Sequence, residues 1–95
     1  MTGSTRSSEG LDPRRRRLLY HAWHRGTREM DLIMGRFADA AIATLTDGEL
    51  DEFEHLSNAP DPDLYAWISG KRPVASGYDT PMFRRLRDFA EAGGQ

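Results

Sequence analysis

TREMDLIMGRFADAAIATL, residues 27–45, decides the fold. Its apolar residues Met30, Ile33, Met34, Phe37, Ala38, Ala41 and Leu45 are separated by 3, 1, 3, 1, 3 and 4 positions. That spacing is the one-sided stripe of an α-helix, since a half-buried strand would alternate at period two. It predicts a helix over 27–44. Immediately before it stands HRGTRE, residues 24–29, where glycine interrupts two helical patterns and charged residues crowd around the interruption. Gly26 is expected to take a left-handed conformation and end the preceding helix, with Thr27 starting the next.

The pattern continues outward from this stretch. Upstream, Leu18, Leu19, Ala22 and Trp23 share one face of a helix expected over 13–24. Downstream, Leu50, Phe53 and Leu56 mark a helix over 47–57, and Leu64, Trp67 and Ile68 mark a short one over 62–69 that Gly70 stops. Gly, Pro and Ser make 70–79 a loop, and Phe83, Leu86, Phe89 and Ala90 mark a last helix over 81–91. Helix starts are signalled independently. Asp12-Pro13, Asp61-Pro62 and Thr80-Pro81 each place a capping side chain before a proline at the first helical position. Thr46-Asp47-Gly48-Glu49 reads as a capping box, in which Thr and Glu each satisfy an unpaired backbone N–H. The expected fold class is all-α, a compact five-helix bundle with a disordered N-terminal tail over 1–10 and a single helical domain over 11–92. The helices are short and marginal alone, so each must bury its stripe.

Composition narrows the function. A chain of 95 residues makes one domain at most and leaves no room for separate catalytic and cofactor domains. There is no cysteine, which excludes disulfides, thiolate metal sites and a cysteine nucleophile, and fits a reducing compartment. No apolar run is long enough for a membrane span, and the first ten residues carry no secretory core. Twelve arginines against one lysine suggest GC-rich coding and a bacterial source, and the expected location is the bacterial cytoplasm.

The net charge of −2 hides a division. Residues 1–28 carry seven arginines against Glu9 and Asp12, while 39–63 carry eight acids and no Lys or Arg. Two opposed fields in one chain suit docking to a protein surface better than general nucleic-acid binding. The rival from another class is a small nucleic-acid-binding regulator using Arg14 to Arg17 on the first helix. The acidic helix over 47–57 would repel phosphate and counts against it. The arginine run also opposes the dipole of its own helix. Catalysis finds little support. His21 and His24 lack a HExxH context, the serines lack a nucleophile elbow, and the glycines form no phosphate loop. No long heptad seam is present, so a monomer is expected.

Arg25-Gly26-Thr27-Arg28-Glu29 resembles the RGxxE motif of the SdhE family, the small FAD assembly factors of succinate dehydrogenase. The resemblance continues through EMDLIMGRFAD (29–39), LTDGELDEFEHL (45–56) and DPDLYAWI (61–68), in order, over about residues 14–90. RGxxE alone is a weak signal; the three blocks in sequence are a strong one. The resemblance implies a helical chaperone that is not an enzyme. It would bind the flavoprotein subunit of succinate dehydrogenase, and in some bacteria that of fumarate reductase, and promote covalent attachment of FAD. On this analogy the chain holds no cofactor of its own and FAD belongs to the partner. Arg25, Gly26 and Glu29 would centre the partner-binding surface, with Thr27, Arg28 and Asp31 beside them. Position 27 is often a larger apolar residue in the family, and here it is Thr.

Overall fold

The computed structural model describes residues 10–93 and is all-α, with no strand among the described residues. The helices are α1 (Pro13–Trp23), α2 (Arg28–Ala41), α3 (Asp47–Ser57), α4 (Asp61–Ile68) and α5 (Pro81–Glu91), with 3₁₀ turns at Ile42–Thr44 and Ser76–Tyr78. The expected tail lies outside the described residues except for Gly10. Two compact units divide the chain, one ending at Leu45 and the other starting at Thr46.

In the first unit α1 packs on α2. Leu18, Leu19, Ala22 and Trp23 are buried, as are Met30, Met34, Phe37, Ala38, Ala41, Ile42 and Leu45. The stripe therefore reads correctly, apart from Ile33, which is only half-buried. The close approach of the helices has a specific cause at Gly35. A Cβ there would stand 2.3 Å from Trp23 Cδ2 and 2.5 Å from Cε2, so the indole rests where any side chain would be. The Trp23 Nε1–H donates to Asp39 Oδ1 at 3.2 Å, which satisfies the ring's single donor.

Arg15 accounts for one member of the arginine run. Its Nε–H donates to Ile42 O at 2.9 Å, Nη2 donates to Leu45 O, and Nη1 pairs with Asp12 Oδ1 at 2.7 Å. The charge opposes the dipole of α1, but it sits on the unpaired carbonyls that follow α2, where a cation is favoured. The helix expected over 27–44 stops at Ala41 and continues as a 3₁₀ turn, and the guanidinium holds the Ile42 carbonyl of that turn and the Leu45 carbonyl just after it. Asp12 caps α1, its Oδ2 accepting from the Arg15 N–H at 3.2 Å. The Arg15 side chain, hydrogen-bonded to this carboxylate, holds it below its ordinary protonation range.

In the second unit α5 packs on α3 and α4. Leu50, Phe53, Leu56, Leu64, Trp67, Ile68, Phe83 and Leu86 are buried as the spacing implies. Met82 is buried too, whereas Phe89 and Ala90 are only half-buried. The capping box forms, with Glu49 N–H donating to Thr46 Oγ1 at 3.1 Å and Thr46 N–H to Glu49 Oε1 at 2.8 Å. That backbone donor, aided by Arg85, lowers the Glu49 pKa. Thr80 caps α5 through the Phe83 N–H at 3.1 Å.

Asp61 does not cap α4. The helix begins one residue earlier than expected, with Pro60 at the cap and Pro62 at the second helical position. The Pro60 carbonyl already accepts from the Leu64 N–H at 2.9 Å, which starts the helical bonding there. Gly70, with φ +82°, closes α4 as expected. Lys71 N–H reaches Ala66 O at 2.9 Å and Gly70 N–H reaches Trp67 O at 3.3 Å, the paired bonds of a Schellman end. The loop that follows is tied down by Tyr78, which stacks on His55 at 4.6 Å and tilts against Trp67 at 5.1 Å. His55 Nε2–H also donates to Gly77 O at 3.0 Å.

Candidate functional site

The corner between α1 and α2 is built by three of the residues singled out in the sequence. α1 ends at Trp23 with His24 as its cap at φ −128°, so Gly26 lies two residues beyond the cap and does not itself terminate the helix. Its φ of +110° instead belongs to the bend over 25–27 that redirects the chain into α2. Thr27 caps α2, its Oγ1 accepting from the Met30 N–H at 3.4 Å. From the first turn of α2, Asp31 reaches back. Its Oδ1 accepts from the Arg25 N–H at 2.6 Å and the Gly26 N–H at 3.2 Å. One carboxylate thus fixes both peptide groups of the bend, and its charge stands where the α2 dipole favours it.

The other three residues occupy this frame differently. Arg25 is half-buried, while Arg28 and Glu29 are exposed on the first turn of α2. The Arg28 and Glu29 side chains make no ion pair or hydrogen bond among the described residues. Apart from its chain neighbours, nothing lies within 4 Å of where a Gly26 Cβ would stand, so the bend presents open backbone. The corner therefore shows both signs of charge beside an unshielded main chain.

A neighbouring feature escaped the motif-based reading. Tyr20 is 59% exposed, and the His24 ring stacks on it at 4.0 Å with 16° between planes. His24 Nδ1–H donates to the Tyr20 carbonyl at 2.7 Å. The buried stripe at 18, 19, 22 and 23 already implied that positions 20 and 24, one turn apart, face away from it.

The two opposed charge fields are less open than their composition suggests. Arg15 is committed to carbonyls and leaves Arg16 and Arg17 as the exposed members of the run. Among the acids, Glu49 closes the capping box and meets Arg85 at 3.3 Å. Glu52 Oε1 accepts from the Met82 N–H at the start of α5 at 3.2 Å, and Asp63 pairs with Arg72 at 2.7 Å. A cavity of about 380 Å³ in the second unit is lined by Trp67, Ile68, Val74 and Phe83, with Arg72 and Arg87 among its polar groups. Arg72 is tied to Asp63, and the Arg87 guanidinium lies 5.9 Å from the Phe83 ring centre.

Fold and corner together define a small all-α protein with a preformed charged bend. No helix is long and apolar enough to cross a membrane, and no three His, Cys, Asp or Glu residues converge on a metal position, both among the described residues. Comparison with known proteins is more specific. A family described as flavinator of succinate dehydrogenase matches residues 16–90, and the chain belongs to that family. It is 41% identical over 80 residues to the FAD assembly factor SdhE of Acetobacter pasteurianus, a match that covers 84% of this chain and 73% of that protein. It is 34% identical over 90 residues to the mitochondrial succinate dehydrogenase assembly factor 2 of Candida glabrata, covering 90% of this chain. With the zebrafish (Danio rerio) protein of the same name it shares 31% identity over 88 residues. The match spans 59% and 56% of those two mitochondrial relatives' own lengths.

Proposed function

We propose that this protein binds the flavoprotein subunit of succinate dehydrogenase, as a monomer in the bacterial cytoplasm, and promotes covalent attachment of FAD to it. The fumarate reductase flavoprotein is a second client of the same kind. The chain acts as a chaperone and not as a catalyst, and FAD stays with the partner throughout. The observation that carries this reading is the Asp31-locked bend, which holds exposed Arg28 and Glu29 beside the bare backbone of Gly26. Membership of a family described as flavinator of succinate dehydrogenase supports this choice of client.

The physical role of the bend is close approach. A partner main chain can come within contact distance of residues 25–27 because no residue beyond the chain neighbours of Gly26 stands over it. Arg25, Arg28 and Glu29 then fix orientation by ion pairs of both signs, and Asp31 and Thr27 keep the bend from relaxing when the partner arrives. Binding favours one arrangement of the flavoprotein, by as much as the chain's affinity for that arrangement exceeds its affinity for others.

The test is to express the flavoprotein subunit with and without this protein, denature it, and measure flavin fluorescence retained on the polypeptide. Retained flavin rises with the wild type and falls with Glu29→Ala. Gly26 needs two variants, because its φ of +110° strains any L side chain. Gly26→Ala and Gly26→Arg share that strain, and only the second adds bulk over the bend. Close approach requires Gly26→Arg to lose far more retained flavin than Gly26→Ala; equal losses would show that backbone strain alone is responsible. Flavin retention indifferent to the wild-type protein would refute the proposed client.

A further inference from the structure

We infer that Tyr20, backed by His24, is the apolar anchor of the docking surface and inserts into a pocket on the partner. This inference rests on the flavoprotein reading above and names where its binding energy is concentrated. Only Tyr20 and Tyr65 are markedly exposed among the large apolar residues described, and Tyr20 is the more exposed at 59% against 39%. A lone exposed tyrosine needs no explanation. This one is held in place. The His24 ring covers one face at 4.0 Å, and His21 meets the ring edge-on at 5.7 Å. The bond from His24 Nδ1–H to the Tyr20 carbonyl fixes the stacking partner in turn. An ordered aromatic side chain loses little further entropy when it is buried by a partner, which is the property of an interface anchor.

Its position ties it to the bend. His24 caps α1 and is followed directly by Arg25 and Gly26, so the stacked pair and the charged corner form one continuous stretch of surface. The stretch shows an aromatic ring, a cation at Arg28 and an anion at Glu29, the last two without side-chain partners among the described residues. A nucleic acid or an anionic membrane would meet Glu29 with repulsion. The occupant that fits is a folded protein surface with an apolar pocket for the phenol, a carboxylate facing Arg28 and a cation facing Glu29. Central aromatic burial with charged groups at the rim is how such interfaces divide affinity from orientation.

The experiment is a binding titration of this protein against the separately purified flavoprotein subunit of succinate dehydrogenase, at two salt concentrations. Tyr20→Ala is expected to weaken binding by about tenfold or more, with the wild-type salt dependence retained. Tyr20→Phe, which keeps the ring, is expected to bind within about twofold of wild type, and Glu29→Ala is expected to alter the salt dependence. Tyr20 is exposed, so Tyr20→Ala should unfold at the wild-type denaturant midpoint, which separates lost docking from lost folding. Wild-type binding together with undiminished binding by Tyr20→Ala overturns the anchor and leaves the client intact. Absence of binding by the wild type overturns the client, and the anchor with it.

Discussion

At the scale of single residues, two positions define what the first unit tolerates. Gly35 sits in the middle of α2, where alanine would ordinarily gain about 1 kcal/mol of helix propensity. Here the added Cβ meets three indole atoms of Trp23 within 2.6 Å, and a rigid ring cannot yield as a flexible side chain would. Overpacking of this kind costs about 1–3 kcal/mol, so Gly35→Ala is expected to destabilise the fold on balance. A denaturant titration checks it, and Trp23→Leu in the same chain should recover part of the loss, because the penalty belongs to the pair. Asp31 is the second case. Asp31→Ala leaves the Arg25 and Gly26 N–H groups without their acceptor and is expected to cost about 1–2 kcal/mol and to loosen the bend. Faster hydrogen exchange at those two amides would report it, and unchanged exchange would deny Asp31 its structural role. Neither role was legible in the sequence. An isolated glycine within a helical stripe shows that space is short but not which side chain fills it. An acid five residues after Gly26 fits a docking contact as readily as an internal acceptor. Thr27 was legible, because a threonine before a helical stripe has one common use.

At the scale of elements, boundaries were readable where a local signal set them and shifted where a distant group did. Thr46, Thr80 and Asp12 cap the helices their spacing announces, since the whole interaction lies within four residues. The end of α2 depends on Arg15, 27 residues from Ile42, and no local pattern records that bond. The same bond turns an arginine unfavourable for its own helix into the tie between the start of α1 and the end of α2. Arg15→Lys tests this reading. An ammonium can reach one carbonyl but does not reproduce a fork that holds Ile42 O, Leu45 O and Asp12 together. The variant is expected to lose about 2 kcal/mol, and exchange should quicken around 42–45 before it does in α3 or α5. A loss equal for Arg15→Lys and wild type, that is none, would mean that charge alone suffices there.

At the scale of the whole molecule, the fold class was more legible than the working surface. Five apolar stripes and four start signals were enough for an all-α chain, because helical periodicity is set residue by residue. The bend was located by Gly26 and its charged neighbours, but its rigidity comes from Asp31, and its aromatic flank comes from a helix face defined only once the buried side of α1 is known. A property shared by both units follows from the way their helices start. Asp12 in the first unit and Glu49 in the second both have lowered pKa values, the one through the Arg15 side chain and the other through the Thr46 N–H. A lowered native pKa means that the folded chain binds fewer protons than the unfolded chain across the ordinary carboxylate range. The stabilisation is then complete above that range and fades as pH falls through it toward the lowered values. The double variant Asp12→Asn, Glu49→Gln removes both charges while keeping side chains able to cap. It should be less stable than wild type at pH 7, and the gap between the two denaturant midpoints should close by about pH 2, below the ordinary carboxylate range. A gap that persists unchanged into acid would show that the carboxylate charges are not what stabilises these helix starts.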